Sequence, residues 1–319
     1  MICLFVVGEP AIPLLLLKKF PLLGMSVTLQ QHEDLVAASI NGDLETVIRL
    51  TARPDIDVNF NRGGTTSALH CGCKLGHLAI VQHLLNHPRI DPNVLLTDLV
   101  TPFYIACLAG HDAVVDLLLA NPGVDPRKRN ISGNSPFLAA CQSGHLNIVL
   151  RMLADPRIDI NRPSNGGRSP FFEAVYEGRL EVVKALLCDP RVNINQTMEA
   201  NATPLYVAAQ HGRLEIAQRI LASDRKIDTK TRCTIQDPDG RSNTAAEWGR
   251  RIGTFPRYQW MDDAVYNQGK VVGPVVSDLI DAFEDDPEGI RYSLRRLPNL
   301  RGTVKTLHLL RVRPSSMVF

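Results

Sequence analysis

The chain has 319 residues, carries a net charge of +2, and is 45% hydrophobic. Such a composition is typical of a folded chain and excludes a charge-rich disordered protein. The near-neutral charge also argues against nucleic acid as the main partner of the whole protein.

The first 24 residues are apolar but lack the features of a targeting signal. Gly8-Glu9-Pro10 and Pro13 interrupt the apolar run, and Lys18-Lys19 follow it rather than precede it. A secretory signal has a basic start and an unbroken apolar core, and a spanning helix needs about 20 apolar residues. We therefore interpret residues 1–32 as a disordered leader, with Met25 as a candidate true start. A reversed signal anchor is the alternative.

From residue 33 onward, the sequence repeats itself every 34 residues. The glycines at this spacing are Gly42, Gly76, Gly110, Gly144, Gly178 and Gly212. The prolines at this spacing are Pro54, Pro88, Pro122, Pro156 and Pro190. So strict a period indicates stacked copies of one unit, none of which can bury its apolar face alone. Because such an array grows by addition, one continuous array over residues 33–228 fits the length.

Each unit is predicted to contain two helices joined by a turn. In the fourth unit, Ser135-Pro136 can begin a helix, since the hydroxyl caps free backbone N–H groups and proline suits the first helical position. Ala140 is small, as a close approach between helices requires. Gly144 permits a turn into a second helix, whose apolar residues recur every three or four positions and so share one face.

This pattern resembles the ankyrin repeat, whose signature is Thr-Pro-Leu-His-x-Ala. The closest match is the segment Thr203-Pro204-Leu205-Tyr206-Val207-Ala208. The tetratricopeptide repeat has a similar length, but its Trp-x2-Leu-Gly-x2-Tyr pattern is absent from the sequence. The resemblance covers residues 33–221, with a looser continuation to residue 283. It implies a mainly α solenoid of six regular helix-turn-helix repeats with short β-hairpin or loop tips, closed by a degenerate terminal repeat.

The resemblance also implies a partner-binding surface. In ankyrin arrays, the first helices and the loop tips line a concave groove that binds other proteins. Carried over position by position, the candidate groove residues are Lys74, Ile105, Leu108, Gln142, Glu173, Tyr176 and Gln210. Ile105, Leu108 and Tyr176 are apolar or aromatic where solvent is expected, and exposed apolar groups often mark a partner site. The alternative is that neighbouring repeats half cover them.

Three of the seven cysteines, Cys73, Cys107 and Cys141, occupy one small position of successive repeats. We predict that this position faces inward, where a thiol behaves as a small apolar group. The sequence therefore predicts no disulfide framework, and reduced thiols indicate a cytoplasmic location.

The second repeat contains a cluster that resembles a zinc site: His70, Cys71, Cys73 and His77. Cys71 and Cys73 are two residues apart on a predicted helix and so point about 200° apart. His83 and His87 have better helical spacing, but no carboxylate or cysteine supports them. We predict no metal site and no cofactor.

Residues 229–285 are predicted to form the degenerate terminal repeat, which is interrupted by an aromatic insert. Thr244-Ala245-Ala246-Glu247-Trp248 resembles the opening of a repeat, and the apolar pattern of its second helix resumes only at Val275. A secondary candidate patch consists of Trp248, Tyr258 and Trp260. We interpret these aromatic residues as a plug that seals the end of the array. A recognition patch is the alternative, because Trp and Tyr dominate binding hot spots.

Residues 286–319 are predicted to form a short helix followed by a basic tail. From Gly289 onward there is no acidic residue, and the basic residues are Arg291, Arg295, Arg296, Arg301, Lys305, Arg311 and Arg313. Such a tail suits an acidic partner, RNA or an anionic membrane surface. A solvated terminus is the other interpretation, since no amphipathic period persists past Gly302.

The sequence contains no nucleophile–base pair or phosphate-binding loop that would indicate an enzyme. We therefore predict a non-catalytic, monomeric scaffold or adaptor that binds an unidentified protein partner through the groove. We expect neither nucleic acid nor a membrane to be its main partner. The alternatives are an RNA or membrane-surface binder acting through the basic tail, and a substrate-recognition adaptor of a larger enzyme complex.

Overall fold

The computed structural model describes residues 27–64, 66–234, 241–251 and 263–296. The chain divides into two compact units, unit 1 (Met1–Asp125) and unit 2 (Pro126–Phe319). In both units the described residues form α-helices joined by turns, with two isolated β-bridges and no β-sheet. None of the described helices combines the length and apolar character that crossing a bilayer requires.

Unit 1 is built from helix pairs. They are α1 (Val27–Asn41) with α2 (Leu44–Thr51), α3 (Ala68–Leu75) with α4 (Leu78–Leu85), and α5 (Pro102–Ala109) with α6 (Asp112–Ala120). First helices pack against first helices, as α1 does on α3, and second helices pack against second helices, as α2 does on α4. The paired, stacked arrangement confirms the predicted mainly α repeat fold.

The helix α1 begins at Val27, six residues before the predicted start of the first repeat at Glu33. No proline or glycine interrupts Val27 to His32, so the helix of the first repeat extends upstream. The added turn is held in place by His32. Its ring stacks on Phe60 with centroids 4.9 Å apart, and its Nε2 accepts the backbone N–H of Asp57 at 2.7 Å.

Unit 2 continues the same pairing and then departs from it. Its helices are α7 (Pro136–Ser143), α8 (Leu146–Ala154), α9 (Pro170–Tyr176), α10 (Leu180–Cys188), α11 (Pro204–Gln210), α12 (Leu214–Ala222), α13 (Ala245–Arg251), α14 (Asp263–Asp285) and α15 (Pro287–Arg296). The delayed apolar pattern predicted from Val275 lies in the second half of α14, which has 23 residues and contains Pro274. Helix α14 packs on α11, α12 and α13.

Helices α5, α7 and α9 begin as their sequence predicts, and α5 and α7 also end as predicted. The hydroxyls of Thr101, Ser135 and Ser169 each accept the backbone N–H three residues further on, at 3.1 Å. Gly110 and Gly144 end α5 and α7 in the left-handed conformation, with φ of 84° and 88°. These caps satisfy backbone groups that a helix end otherwise leaves without partners.

The core of both units consists of recurring positions of the repeat. One second-helix position is 0% exposed in every regular repeat: Val47, Val81, Val115, Val149, Val183 and Ala217. The predicted inward position of the cysteines is also confirmed, since Cys73, Cys107 and Cys141 are 0% exposed. Burying each of the five valines contributes about 1.5–3 kcal/mol.

The loops between repeats are held by asparagine side chains. Asn161 donates to the carbonyl oxygen of Arg191 at 2.8 Å and accepts the backbone N–H of Asn193 at 2.6 Å. Asn59, Asn93 and Asn195 bond to the following loop in the same way. The loop tips are turns without paired strands in the described residues, so the loop form of the predicted tips is the one observed.

Candidate functional site

The candidate residues of unit 1 lie on the last turns of its first helices. Ile40, Lys74 and Leu108 occupy equivalent positions of α1, α3 and α5, where Ile40 is 48% exposed, Leu108 is 40% exposed and Lys74 is exposed. Ile105, one turn before Leu108, is half-buried. We call Ile40, Lys74, Ile105 and Leu108 the unit 1 face. It combines exposed aliphatic groups with one cation.

The backbone beneath the unit 1 face is fixed by histidines from the following repeat. His77 Nε2 lies 3.2 Å from the carbonyl oxygen of Ile40, and His111 Nε2 lies 2.9 Å from that of Lys74. Each ring also packs against the turn glycine of the preceding repeat, as His111 does on Gly76. Because the helix ends are bonded in this way, the side chains above them project from a preorganised surface.

The candidate residues of unit 2 differ in exposure. Gln142 and Tyr176 are half-buried, whereas Glu173 is 5% exposed and Gln210 is 7% exposed. Glu173 is contacted by Arg168, from the loop before α9. Glu173 and Gln210 therefore reach solvent much less than the sequence suggested, and Tyr176 and Gln142 supply the accessible part of this set.

Arg168, Glu173, Tyr176 and His211 form a polar cluster, which we call the unit 2 cluster. Glu173 and Tyr176 lie on α9, Arg168 in the loop before it, and His211 directly after α11. Arg168 Nη1 lies 3.3 Å from Glu173 Oε1, and Arg168 Cζ lies 4.8 Å from the centre of the Tyr176 ring. The His211 ring lies against the Tyr176 ring, with centroids 4.6 Å apart and planes tilted by 54°.

Burial dominates the electrostatics of the unit 2 cluster. It raises the pKa of Glu173, an effect that the positive charge of Arg168 opposes. Burial lowers the pKa of His211 to about 4, and the charges of Arg213 and Arg168 add to this, so the ring is neutral at pH 7. Glu173 Oε2 and His211 Nε2 are buried without a hydrogen-bond partner among the described residues.

Sequence reasoning missed Arg168 and His211 as members of the unit 2 cluster, and Arg213 as a charge that acts on His211. Arg168 precedes the capping Ser169, a position without a fixed residue type, so only its folded position reveals its role. A signal for Arg213 was present, since arginine follows the turn glycine in the fifth and sixth repeats whereas histidine follows it in the second, third and fourth.

The secondary aromatic patch is only partly described. Trp248 is 1% exposed, and its ring lies 5.7 Å from that of Tyr206 with a tilt of 49°. Its position is that of a packing residue, consistent with the interpretation as a plug. Tyr258 and Trp260 lie outside the described residues.

In the histidine and cysteine cluster of the second repeat, His70 makes structural hydrogen bonds and two cysteines are buried. His70 Nδ1 lies 2.8 Å from Ser67 Oγ, and its Nε2 lies 3.1 Å from the carbonyl oxygen of Val100. Burial raises the pKa of both Cys71 and Cys73, which disfavours the thiolate that a metal would need. Across the described residues, no group of three or more His, Cys, Asp or Glu side chains could hold a metal ion.

The first arginines of the basic tail hold helix α15 against α12. Arg291 donates to the carbonyl oxygen of Arg225 at 2.9 Å and lies 5.3 Å from the centre of the Phe283 ring. Arg295 donates to the carbonyl oxygen of Ala222 at 3.0 Å and pairs with Asp224. These two arginines therefore stabilise the packing of helix α15. The basic residues from Arg301 onward lie outside the described residues.

Comparison with known proteins agrees with this architecture. A family model described as ankyrin repeats (3 copies) matches residues 35–130 and 103–198, which together span about half of the chain. Among curated proteins, no sequence matches the chain. Among solved structures, the ankyrin repeat domain of Bcl-3, a member of the IkappaB protein family, is similar in fold. Its TM-score is 0.57 at 21% sequence identity, and the alignment covers 73% of this chain and 96% of that domain.

The structural likeness to the Bcl-3 domain, at this identity, concerns the fold alone. Ankyrin repeats are in general a protein-interaction module and are typically non-catalytic. The matched residues include the helix pairs that form the unit 1 face and those that carry Arg168, Glu173 and Tyr176. With its 34-residue period, its paired helices and its match to the family model, the chain belongs to the ankyrin-repeat proteins.

Proposed function

We propose that this protein is a non-catalytic scaffold or adaptor that binds a protein partner through the first-helix surfaces of its repeats. The observation that carries the proposal is the unit 1 face. There, Ile40 and Leu108 are 48% and 40% exposed on either side of Lys74. The residues just before these three positions, Ser39, Cys73 and Cys107, are 0% exposed. Aliphatic groups held at equivalent positions on rigid helices favour association, because little conformational entropy is lost on binding.

The size of the expected effect follows from the area that a partner would cover. Removing the exposed parts of two aliphatic side chains from water contributes about 1 kcal/mol each. A charged group introduced into the covered surface would lose hydration without gaining a partner. Replacing Leu108 of the unit 1 face by glutamate is therefore expected to weaken partner binding at least about tenfold.

The test compares Leu108→Glu with Leu78→Glu. Both leucines are 40% exposed in unit 1, but Leu108 lies on the first helix α5 and Leu78 on the second helix α4. The full chain and both variants would be used to capture proteins from the source lysate, with retained proteins identified by mass spectrometry. Circular dichroism melting would establish that both variants fold.

We expect a protein that the parent and Leu78→Glu retain and that Leu108→Glu loses. Such a protein would be the partner of the unit 1 face. Equal retention by both folded variants would contradict the proposal and direct attention to the C-terminal residues.

A further inference from the structure

The residue that follows the glycine between the two helices of a repeat makes the same contacts in both units. It packs on the equivalent glycine of the preceding repeat and bonds to a backbone carbonyl there. In unit 1 a histidine performs it, as His111 does by lying across Gly76 and bonding to the carbonyl oxygen of Lys74. In unit 2, Arg179 lies across Gly144 and donates from Nε to the carbonyl oxygen of Gln142 at 2.8 Å. Since an imidazole is sufficient for this contact, the guanidinium supplies donors and charge that the contact does not need.

Arg213 repeats this arrangement in the next repeat. It lies across Gly178, and its Nη2 donates to the carbonyl oxygen of Tyr176 at 3.3 Å. Its Nε is buried and has no partner among the described residues. Burial lowers the pKa of Arg213, so the cation is less stable there than in water and a nearby anion would stabilise it.

Arg168 supplies a third cation on the same surface. Glu173 accepts from one of its donors, and the ring of Tyr176 supports the face of the guanidinium. Its side chain is 37% exposed, and the described residues provide no further acceptor for the remaining N–H groups. A guanidinium fixed on two sides with donors still available is suited to bidentate recognition of a carboxylate.

The charges around Tyr176 leave this surface positive. Arg168 and Arg213 both act on His211, and Arg179 acts on Arg213. The carboxylates in this set are Glu173, which Arg168 contacts, and Glu177, which acts on Arg213. His211 adds no charge at pH 7, because its pKa is about 4. Three permanent cations therefore face two carboxylates, one of which is already paired with Arg168.

From this geometry we propose that the surface around Tyr176, formed by Arg168, Arg179 and Arg213, binds a carboxylate side chain from an acidic segment of the protein partner. The inference rests on the proposed function, since it names the chemistry of the partner that the second unit would contact. A protein segment fits better than a nucleic acid, because Glu173 and Glu177 would repel a continuous polyanion.

Fluorescence anisotropy with labelled octapeptides tests the proposal on the full chain. One probe alternates glycine with glutamate, and its control alternates glycine with glutamine. The variants are Arg168→Gln, Arg168→Lys and Arg179→Gln, with Arg151→Gln on the second helix α8 as the matched loss of one exposed charge. Arg168→Lys keeps a cation beside Glu173 and so guards against a folding defect, but it lacks the bidentate fork.

We expect the glutamate peptide to bind about tenfold more tightly than the glutamine peptide. Arg168→Gln, Arg168→Lys and Arg179→Gln should each weaken that binding by about fivefold to tenfold, and Arg151→Gln by less than about twofold. Equal weakening by Arg168→Gln and Arg151→Gln would show only general charge attraction and would overturn the proposal.

Two further outcomes distinguish this proposal from a nucleic-acid site and from the proposed scaffold function. If a single-stranded thymidine oligonucleotide binds more tightly than the glutamate peptide and depends on Arg168, the surface is a nucleic-acid site and the proposal is wrong. If the glutamate peptide fails to bind while Leu108→Glu still loses the captured partner, the acidic-segment inference falls and the proposed scaffold function stands.

Discussion

The side chain of Arg179 lies directly across Gly144, so that a Cβ at position 144 would stand 2.8 Å from Arg179 Cδ. Gly144 also has a φ of 88°, in the left-handed region, where it ends α7. Two neighbouring repeats therefore meet at a position that requires both conformational freedom and the absence of a side chain.

Gly144→Ala should lower the free energy of unfolding by about 2 kcal/mol, because it adds left-handed strain to a close contact. Gly166→Ala is the control, since a Cβ there meets no atom within 4 Å, and its effect should stay within about 0.5 kcal/mol. Urea denaturation measures both variants. Similar losses in the two would show that contact with Arg179 and left-handed strain do not govern the turn.

Leu99→Gly should stabilise the protein. Leu99 has a φ of 59°, whereas Gly133, Gly167 and Asn201 occupy this tip position in later repeats. Left-handed strain costs a non-glycine residue about 1–2 kcal/mol, and part of its relief is offset by the greater chain entropy of glycine. Because Leu99 is 45% exposed, little buried area is lost.

We expect the free energy of unfolding to rise by about 0.5–1 kcal/mol for Leu99→Gly in urea denaturation. Asp98→Gly, at the adjacent tip position without a positive φ, should lower it. A loss of stability in Leu99→Gly would mean that the leucine side chain makes contacts that outweigh its backbone strain.

His70 should make the protein sensitive to acid. Burial lowers its pKa to about 4 in the folded state, against 6.5 for a solvent-exposed histidine, so the unfolded chain binds more protons between these values. Stability therefore falls as the pH decreases through this window, and His70 accounts for about 2 kcal/mol of the loss at pH 5.

His70→Tyr tests this expectation, since Tyr104 and Tyr206 occupy the equivalent position in other repeats. The difference in unfolding free energy between pH 7 and pH 5 should be smaller in the variant, while groups common to both proteins contribute equally. An identical pH dependence in parent and variant would contradict a buried, neutral His70.

Thiol modification should follow the repeat positions of the cysteines. Burial raises the pKa of Cys73 and Cys141, and both are 0% exposed, whereas Cys188 is exposed on α10. We expect iodoacetamide at neutral pH to modify Cys188 in the native protein and to reach Cys73 and Cys141 only after unfolding. Peptide mass spectrometry locates the adducts. Rapid labelling of Cys141 in the native protein would mean that this repeat position does not face the core.

The sequence by itself determined the repeat period, the helix pairs and the inward-facing positions. Ser135 and Gly144 act on backbone groups within a few residues, and the apolar positions recur on one side of each helix. Interactions of this range leave a direct pattern in the sequence. Six copies made that pattern unambiguous, which is why the family could be recognised from residues alone.

Only the tertiary structure decided which outward positions reach solvent. Leu108 and Gln210 are equivalent in the repeat, yet one is 40% exposed and the other 7%. Gln210 lies on α11, against which α13 and α14 pack. The contact of Arg168 with Glu173 also leaves no mark in the repeat, because the residue type at position 168 differs from repeat to repeat. The early start of α1 and the length of α14 were likewise not marked by the repeat. Such features depend on what packs alongside a residue, and no single repeat encodes its neighbours.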